Sequence, residues 1–276
     1  MNRTIKFLFA LITISIYNLN VQAQNVAVGA GQSGSSGQEY KVSFSKPSQP
    51  GKVKIYTLNE VNIQSHNGKE VIITASGVRP IPKRAEGLKP VYNSMVDNTN
   101  MGLAVKEVDN TIEINGLTRR GDTKYKILVP ANASLQISSG DNHGGSHINV
   151  NNFSNEIEID ARFGDVELED ITGPALVHSV HGKINVKFGK VNPKNPISIT
   201  SVHGDVDVTM PPKTPANLEL KSGYGEIFTD LDIAFDNSKD NMRQISGNRI
   251  TGKLNGGGVE IHLESTHSNI YLRKAN

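Results

Sequence analysis

From Glu39 onward, apolar residues recur at every second position. Tyr40, Val42 and Phe44 alternate with polar neighbours, as do Val53 and Ile55, Val61 and Ile63, Ile112 and Ile114, and Tyr125, Ile127 and Val129. Successive side chains of a strand point to opposite faces, so this spacing predicts strands with one face in a core and one in solvent. After the N-terminal segment no stretch carries the spacing of an amphipathic helix of three turns.

Aligned on itself, the second half of the chain repeats a unit written apolar-x-apolar-x-small-x-aromatic-small-x-apolar-x-apolar. Copies begin at Ile157 (IEIDARFGDVEL), Ala175 (ALVHSVHGKINV), Ile197 (ISITSVHGDVDV), Leu218 (LELKSGYGEIFT) and Ile261 (IHLESTHSNIYL). Their starts are 18, 22, 21 and 43 residues apart. The last interval is about two repeats, which predicts a degenerate copy between Thr229 and Gly258. Each copy reads as two short strands joined at a corner by Gly164, Gly182, Gly204 or Gly225, with Ser268 in the fifth. Glycine there is expected to supply a backbone angle that other residues resist.

One such unit buries too little to stand alone, whereas stacked units place equivalent strands about 4.8 Å apart and join their apolar positions into columns. The expected fold is all-β, a single-domain parallel β-solenoid of roughly 20-residue rungs over residues 39–276, clearest over 157–272. Alternation does not encode strand direction, so an antiparallel sandwich or meander stays open, above all in the N-terminal third. Pro193, Pro196, Pro211, Pro212 and Pro215 fall between copies, which assigns the length variation to loops. Residues 81–100 break the alternation and read as a long excursion from the β body, a loop length that often carries function.

The N-terminal segment 1–23 stands apart. Arg3 and Lys6 precede an apolar run from Phe7 to Tyr17, and Val21-Gln22-Ala23 places small residues at a cleavage position. This is the pattern of a secretory signal peptide, and the run is well short of the ~20 residues that span a bilayer. Residues 24–38, rich in glycine and serine, read as a flexible mature N-terminus. Later segments contain nothing that reads as a membrane span. The chain has no cysteine, which excludes disulfides and a lipidated cysteine anchor. It carries 29 basic and 27 acidic residues, and loss of Arg3 and Lys6 leaves 27 of each. A formally neutral mature chain lacks the basic footprint of nucleic-acid binding.

Several segments resemble one known family: the S-V-H-G-x-V/I-x-V units, Gly68-Lys69-Glu70-Val71, Glu86-Gly87-Leu88 followed by Asp97-Asn98-Thr99, Val129-Pro130, and Asn255-Gly256-Gly257-Gly258 before Ile270-Tyr271-Leu272. The chain resembles the putative adhesin family, bacterial envelope proteins of unknown function, over about Tyr40 to Lys274. The resemblance implies a β-solenoid and an envelope location, and it brings no active site.

The candidate chemistry is weighed against that architecture. Ser179 and His181, Ser201 and His203, and Ser265 and His267 share one spacing. A hydrolase needs a single Ser-His pair oriented by one acid, so three equivalent pairs read as turn serines and a column of stacked rings that includes Phe163 and Tyr224. His181 and His203 are the metal candidates, one strand spacing apart, with Asp205 as the nearby carboxylate. His143 and His147 (HGGSH) form a weaker pair and are assigned to a loop. Asp165 and Glu167, and Asp205 and Asp207, lie two apart on strands like the acids of β-helical glycan enzymes. The same positions hold Lys183, Asn185 and Glu226 in other copies, which is how a solvated face reads. Gly256-Gly257-Gly258 leads into a strand without the Lys-Ser/Thr and helix of a phosphate loop.

The sequence therefore points to an exported, non-catalytic binding or scaffolding protein without a cofactor, meeting an envelope protein or surface polymer through an extended face. An envelope glycan hydrolase or lyase and a metal-responsive sensor are the competing readings.

Overall fold

The alternation seen along the chain becomes strands at almost every place it occurs. The computed structural model describes residues 38–276 except 57, 79, 81, 89–90, 93–94, 118–122, 140–146 and 236–247, all within the unit Gly37–Asn276. The signal segment 1–23, the glycine-serine segment up to residue 37 and His143 lie outside the described residues. Gln38 already belongs to the first strand.

The strands are β1 (Gln38–Ser43), β2 (Gly51–Tyr56), β3 (Glu60–His66), β4 (Glu70–Ser76), β5 (Val91–Tyr92), β6 (Met95–Val96), β7 (Leu103–Val108) and β8 (Thr111–Gly116). There follow β9 (Lys124–Pro130), β10 (Ala133–Ser138), β11 (His147–Phe153), β12 (Ile157–Phe163), β13 (Val166–Ile171), β14 (Ala175–His181), β15 (Ile184–Phe188) and β16 (Ile197–Ser201). The last are β17 (Val206–Met210), β18 (Ala216–Ser222), β19 (Ile227–Thr229), β20 (Ala234–Phe235), β21 (Asn248–Leu254), β22 (Val259–Ser265) and β23 (Ile270–Lys274). A single 3-10 turn at Lys83–Ala85 is the only helical element among the described residues.

Two sheets face each other, and from β9 to β20 the chain deals strands to them alternately. One runs β1-β4-β9-β3-β11-β13-β15-β17-β23-β19 and the other β20-β21-β18-β22-β16-β14-β12-β10-β2-β8-β7. A rung is one strand in each sheet, as β12 then β13, or β14 then β15. Equivalent strands of neighbouring rungs pair in parallel with matched register: Val150 faces Leu168, Leu168 faces Val186, Val186 faces Val208 and Val208 faces Leu272. All five side chains are buried, and so is the opposing column Ile159, Val177, Ile199, Leu263 and Leu220. Fully burying each such side chain stabilises by about 1.5–3 kcal/mol, so the columns are the main cohesive element.

The parallel solenoid holds throughout the body, including its first third, where β2 pairs in parallel with β8 and β10, and β3 with β9 and β11. The antiparallel alternative for this third is thereby corrected. Within the two large sheets, antiparallel pairing is confined to edge pieces: β1 on β4, β4 on β9 and β7 on β8 at one end, and β21 on β18 and β20 on β21 at the other. Strand edges left open invite association, and reversed strands end the parallel stack at both ends of the second sheet and at the β1 end of the first, whose other end is the parallel strand β19.

Two further expectations change. No degenerate copy occupies the described part of the stretch between Thr229 and Gly258; it holds the antiparallel pair β20 and β21. Nor do the copies stack in chain order. The fifth copy (β22, β23) lies between the third (β16, β17) and the fourth (β18, β19), so Ser268 sits one rung in from the end. The excursion over residues 81–100 carries the short hairpin β5–β6 and closes in a hydrogen-bonded turn. Asp97 accepts N–H bonds from Thr99 and Gly102, and Asn98 exchanges two bonds with the Val105 backbone.

Candidate functional site

The repeated corner between the two sheets gathers most of the residues singled out by the sequence. At this corner the backbone ladder continues past the strands. The N–H of His203 donates to the Val180 carbonyl, that of His267 to Val202, and that of Tyr224 to Thr266, at 3.0, 3.0 and 2.9 Å. Each ring-bearing residue is thus hung on the residue before the ring in the adjacent rung. The rings must then stack at strand spacing.

They do so in one column: Phe163 on His181 at 5.2 Å, His181 on His203 at 4.7 Å, His203 on His267 at 4.6 Å and His267 on Tyr224 at 5.0 Å between centroids. All four pairs are within 10° of parallel. The column matches the sequence expectation in membership, and the inserted rung places His267 ahead of Tyr224. The outermost ring, Tyr224, is 81% exposed.

Beneath the rings lies a row of buried serines. Ser201 Oγ accepts the Gly204 N–H and donates to the Gly182 carbonyl; Ser265 Oγ accepts from Ser268 and donates to Gly204; Ser222 Oγ accepts from Gly225 and donates to Ser268. One hydroxyl therefore ties its own corner to the next. These hydroxyls are engaged with backbone groups. Ser179 Oγ is buried and has no partner among the described residues.

Of the four corner glycines, Gly204 and Gly225 are required for a different reason from the one expected. Gly164 has a positive φ of 106°, but Gly204 and Gly225 lie outside the positive-φ set. A Cβ on Gly204 would stand 1.8 Å from the Gly182 carbonyl oxygen, and one on Gly225 2.2 Å from that of Ser268. Close approach of stacked backbones, rather than backbone angle, dictates glycine at these two positions. The next position caps the neighbouring corner: Asp165 Oδ1 accepts the Lys183 N–H, Asp205 Oδ1 that of Asn269, and Asn269 Oδ1 that of Glu226.

This geometry bears on the metal candidates. Rings held face to face direct their in-plane nitrogen lone pairs along parallel lines, so His181 and His203 do not converge on a shared ion, and Asp205 is turned to a backbone amide. No group of three or more potential ligands is arranged for a metal among the described residues. His147 opens β11 rather than lying in a loop, and it is exposed. The His203 imidazole is held below its usual value of 6.5, first by loss of water around it and then by the charges that His267 and His181 would carry.

A second group was not legible in the sequence. On the outer face of the first sheet, Phe228 stacks on Tyr271 at 5.3 Å, and Arg273 lies 5.1 Å above the Tyr271 ring while making a forked bond to Asp207. The pair to Asp207 raises the already high pKa of Arg273. Phe228 and Tyr271 share one position in the repeat, a signal that would have joined them had the adjacency of their copies been known. Asp207 is thereby engaged as an ion-pair partner, and Glu169 likewise pairs with Lys187 at 3.1 Å. These carboxylates sit along an ion-paired face, in keeping with the solvated-face reading.

The architecture and its corner define a two-sheet parallel β-solenoid whose rungs are locked by ring, serine and glycine columns. The chain belongs to the Toastrack DUF4097 family, whose model matches residues 18–273. Among solved structures, a putative cell adhesion protein from Clostridium sporogenes is similar at 11% identity, with a TM-score of 0.44, over 87% of this chain and 100% of its own. A putative adhesin from Bacteroides fragilis is similar at 10% identity, with a TM-score of 0.39, over 86% of this chain and 96% of its own. No curated protein matches the sequence.

Proposed function

We propose that the protein is exported and acts without catalysis as a binding or scaffolding component of the bacterial envelope, meeting an envelope protein or surface polymer. The observation that carries this reading is the Phe228–Tyr271–Arg273 group on the outer face of the first sheet. Stacked aromatics beside an arginine are the side chains that most often dominate protein interfaces, and Phe228 is 45% exposed. The parallel stack supplies a rigid support that fixes these side chains without a conformational cost on binding. Export rests on the N-terminal segment Arg3 to Ala23.

The test is capture of partners from solubilised envelope fractions and from purified peptidoglycan by the mature protein and by a Phe228→Ser, Tyr271→Ser variant. Retention by the native protein that falls at least tenfold in the variant supports the reading. Equal retention by both, or none by either, contradicts it.

A further inference from the structure

Three histidines that are far apart in the chain form the centre of the ring column. His181, His203 and His267 lie 4.7 and 4.6 Å apart, with planes within 4°. His267 belongs to the inserted rung, and it touches a ring on each side: His203 on the rung of β16 and β17, and Tyr224 on the rung of β18 and β19. The column therefore spans both seams along which β22 and β23 enter the sheets.

Neutral imidazoles stacked in this way attract, whereas a proton on each of two neighbours sets like charges less than 5 Å apart. Little nearby offsets them. The charged groups at the same corners are Arg162 and Asp165 on the first, Lys183 on the second, Asp205 on the third and Glu226 on the outermost. Asp165 and Asp205 are committed to backbone amides. The ion pairs that a histidine makes among the described residues belong to His262, with Glu219 and Glu264 on the outer face of the second sheet, away from the corner.

We propose that the histidine stack is an acid-operated release for the C-terminal rungs: protonation of the adjacent rings His203 and His267 loosens the seam between the third rung and the inserted strands and frees the edges of β16 and β17. The depressed His203 value fixes the direction. A histidine with a folded pKa below its unfolded one stabilises the fold fully above about pH 6.5, and that contribution falls away as pH drops through 6.5 toward the lower folded value. An envelope protein exposed to acid surroundings would open at this end while the rung of β12 and β13, which carries Phe163 in place of a histidine, stays closed.

Amide hydrogen exchange of the mature protein, corrected for intrinsic rates, tests this at pH 7.5 and pH 5. Protection of β18, β22 and β23 should fall at least tenfold more than that of β12 and β13 on acidification. His203→Phe, which keeps a ring of the kind Phe163 already places in the column, should abolish this difference and leave pH 7.5 protection unchanged. Should that variant misfold, His267→Tyr serves the same purpose, and His262→Gln, outside the stack, should retain the response. Uniform loss across all rungs at pH 5, or a selective loss that survives both ring replacements, would overturn the proposal.

Discussion

The central rungs, β12 to β17, and the C-terminal rungs, β18 to β23, are made of the same repeat yet assembled by different rules. In the centre, order along the chain is order in space, and partners such as Leu176 and Ser198 belong to successive copies. At the C-terminal end the chain builds the outermost rung first, returns through β20 and β21, and inserts its last two strands between rungs already laid down. Ile197 consequently pairs with Ile261, across all of the chain from β17 to β21. The N-terminal end repeats the arrangement, since β2 and β3 lie inside β8 and β9. A strand pair inserted in this way is bonded on both sides. The final strands of the chain are therefore among its best-held, and a distant closure replaces a local one at a cost in loop entropy that grows only slowly with length.

The largest expected effect separates the two regions directly. Truncation after Gly258 removes Val259, Ile261, Leu263, Ile270 and Leu272 from the core. At about 1.5–3 kcal/mol each, their loss is comparable to the whole stability of a domain. The truncated chain should lose cooperative unfolding in a urea titration monitored by circular dichroism, whereas a cut in a true terminal appendage would leave it intact. A smaller effect compares glycines in the two settings. Gly204→Val forces a side chain into the Gly182 carbonyl and should cost about 3 kcal/mol or more. Gly256→Ala, in open space but at φ +86°, should cost only about 1–2 kcal/mol. Matched denaturation midpoints for the two would refute the close-approach account of the corner.

How much of this the sequence disclosed follows from what a repeat encodes. Val206 and Val208 alternate with Asp207 and Thr209, and both valines are buried as that alternation requires. The ring column was equally visible, because Phe163, His181, His203, Tyr224 and His267 hold one place in the unit, and parallel register brings equal places together. Stacking order was hidden, since each copy offers the same apolar faces to any other and nothing local marks its neighbour. The reversed strands were hidden too: the alternation of β21 fits either direction. The demand for glycine at Gly204 was legible, but its cause lies in the Gly182 carbonyl of the preceding copy, which only the stacked structure brings close. The Phe228–Tyr271 pair failed for the same reason as the stacking order.

The insertion of the last rung is the claim on which the corner, the aromatic group and the acid response all depend, and the absence of cysteine from the chain gives it a clean test. Ser198 and His262 are register partners on adjacent parallel strands, and His262 in turn faces Glu219. Neighbouring strands lie about 4.8 Å apart, within disulfide reach, whereas Ser198 and Glu219 are separated by about 10 Å, beyond it. Under mild oxidation the Ser198→Cys, His262→Cys protein should cross-link almost completely and the Ser198→Cys, Glu219→Cys protein should not. Efficient cross-linking of the second pair, with none in the first, would mean that the fourth copy lies against the third and that the chain stacks in simple order.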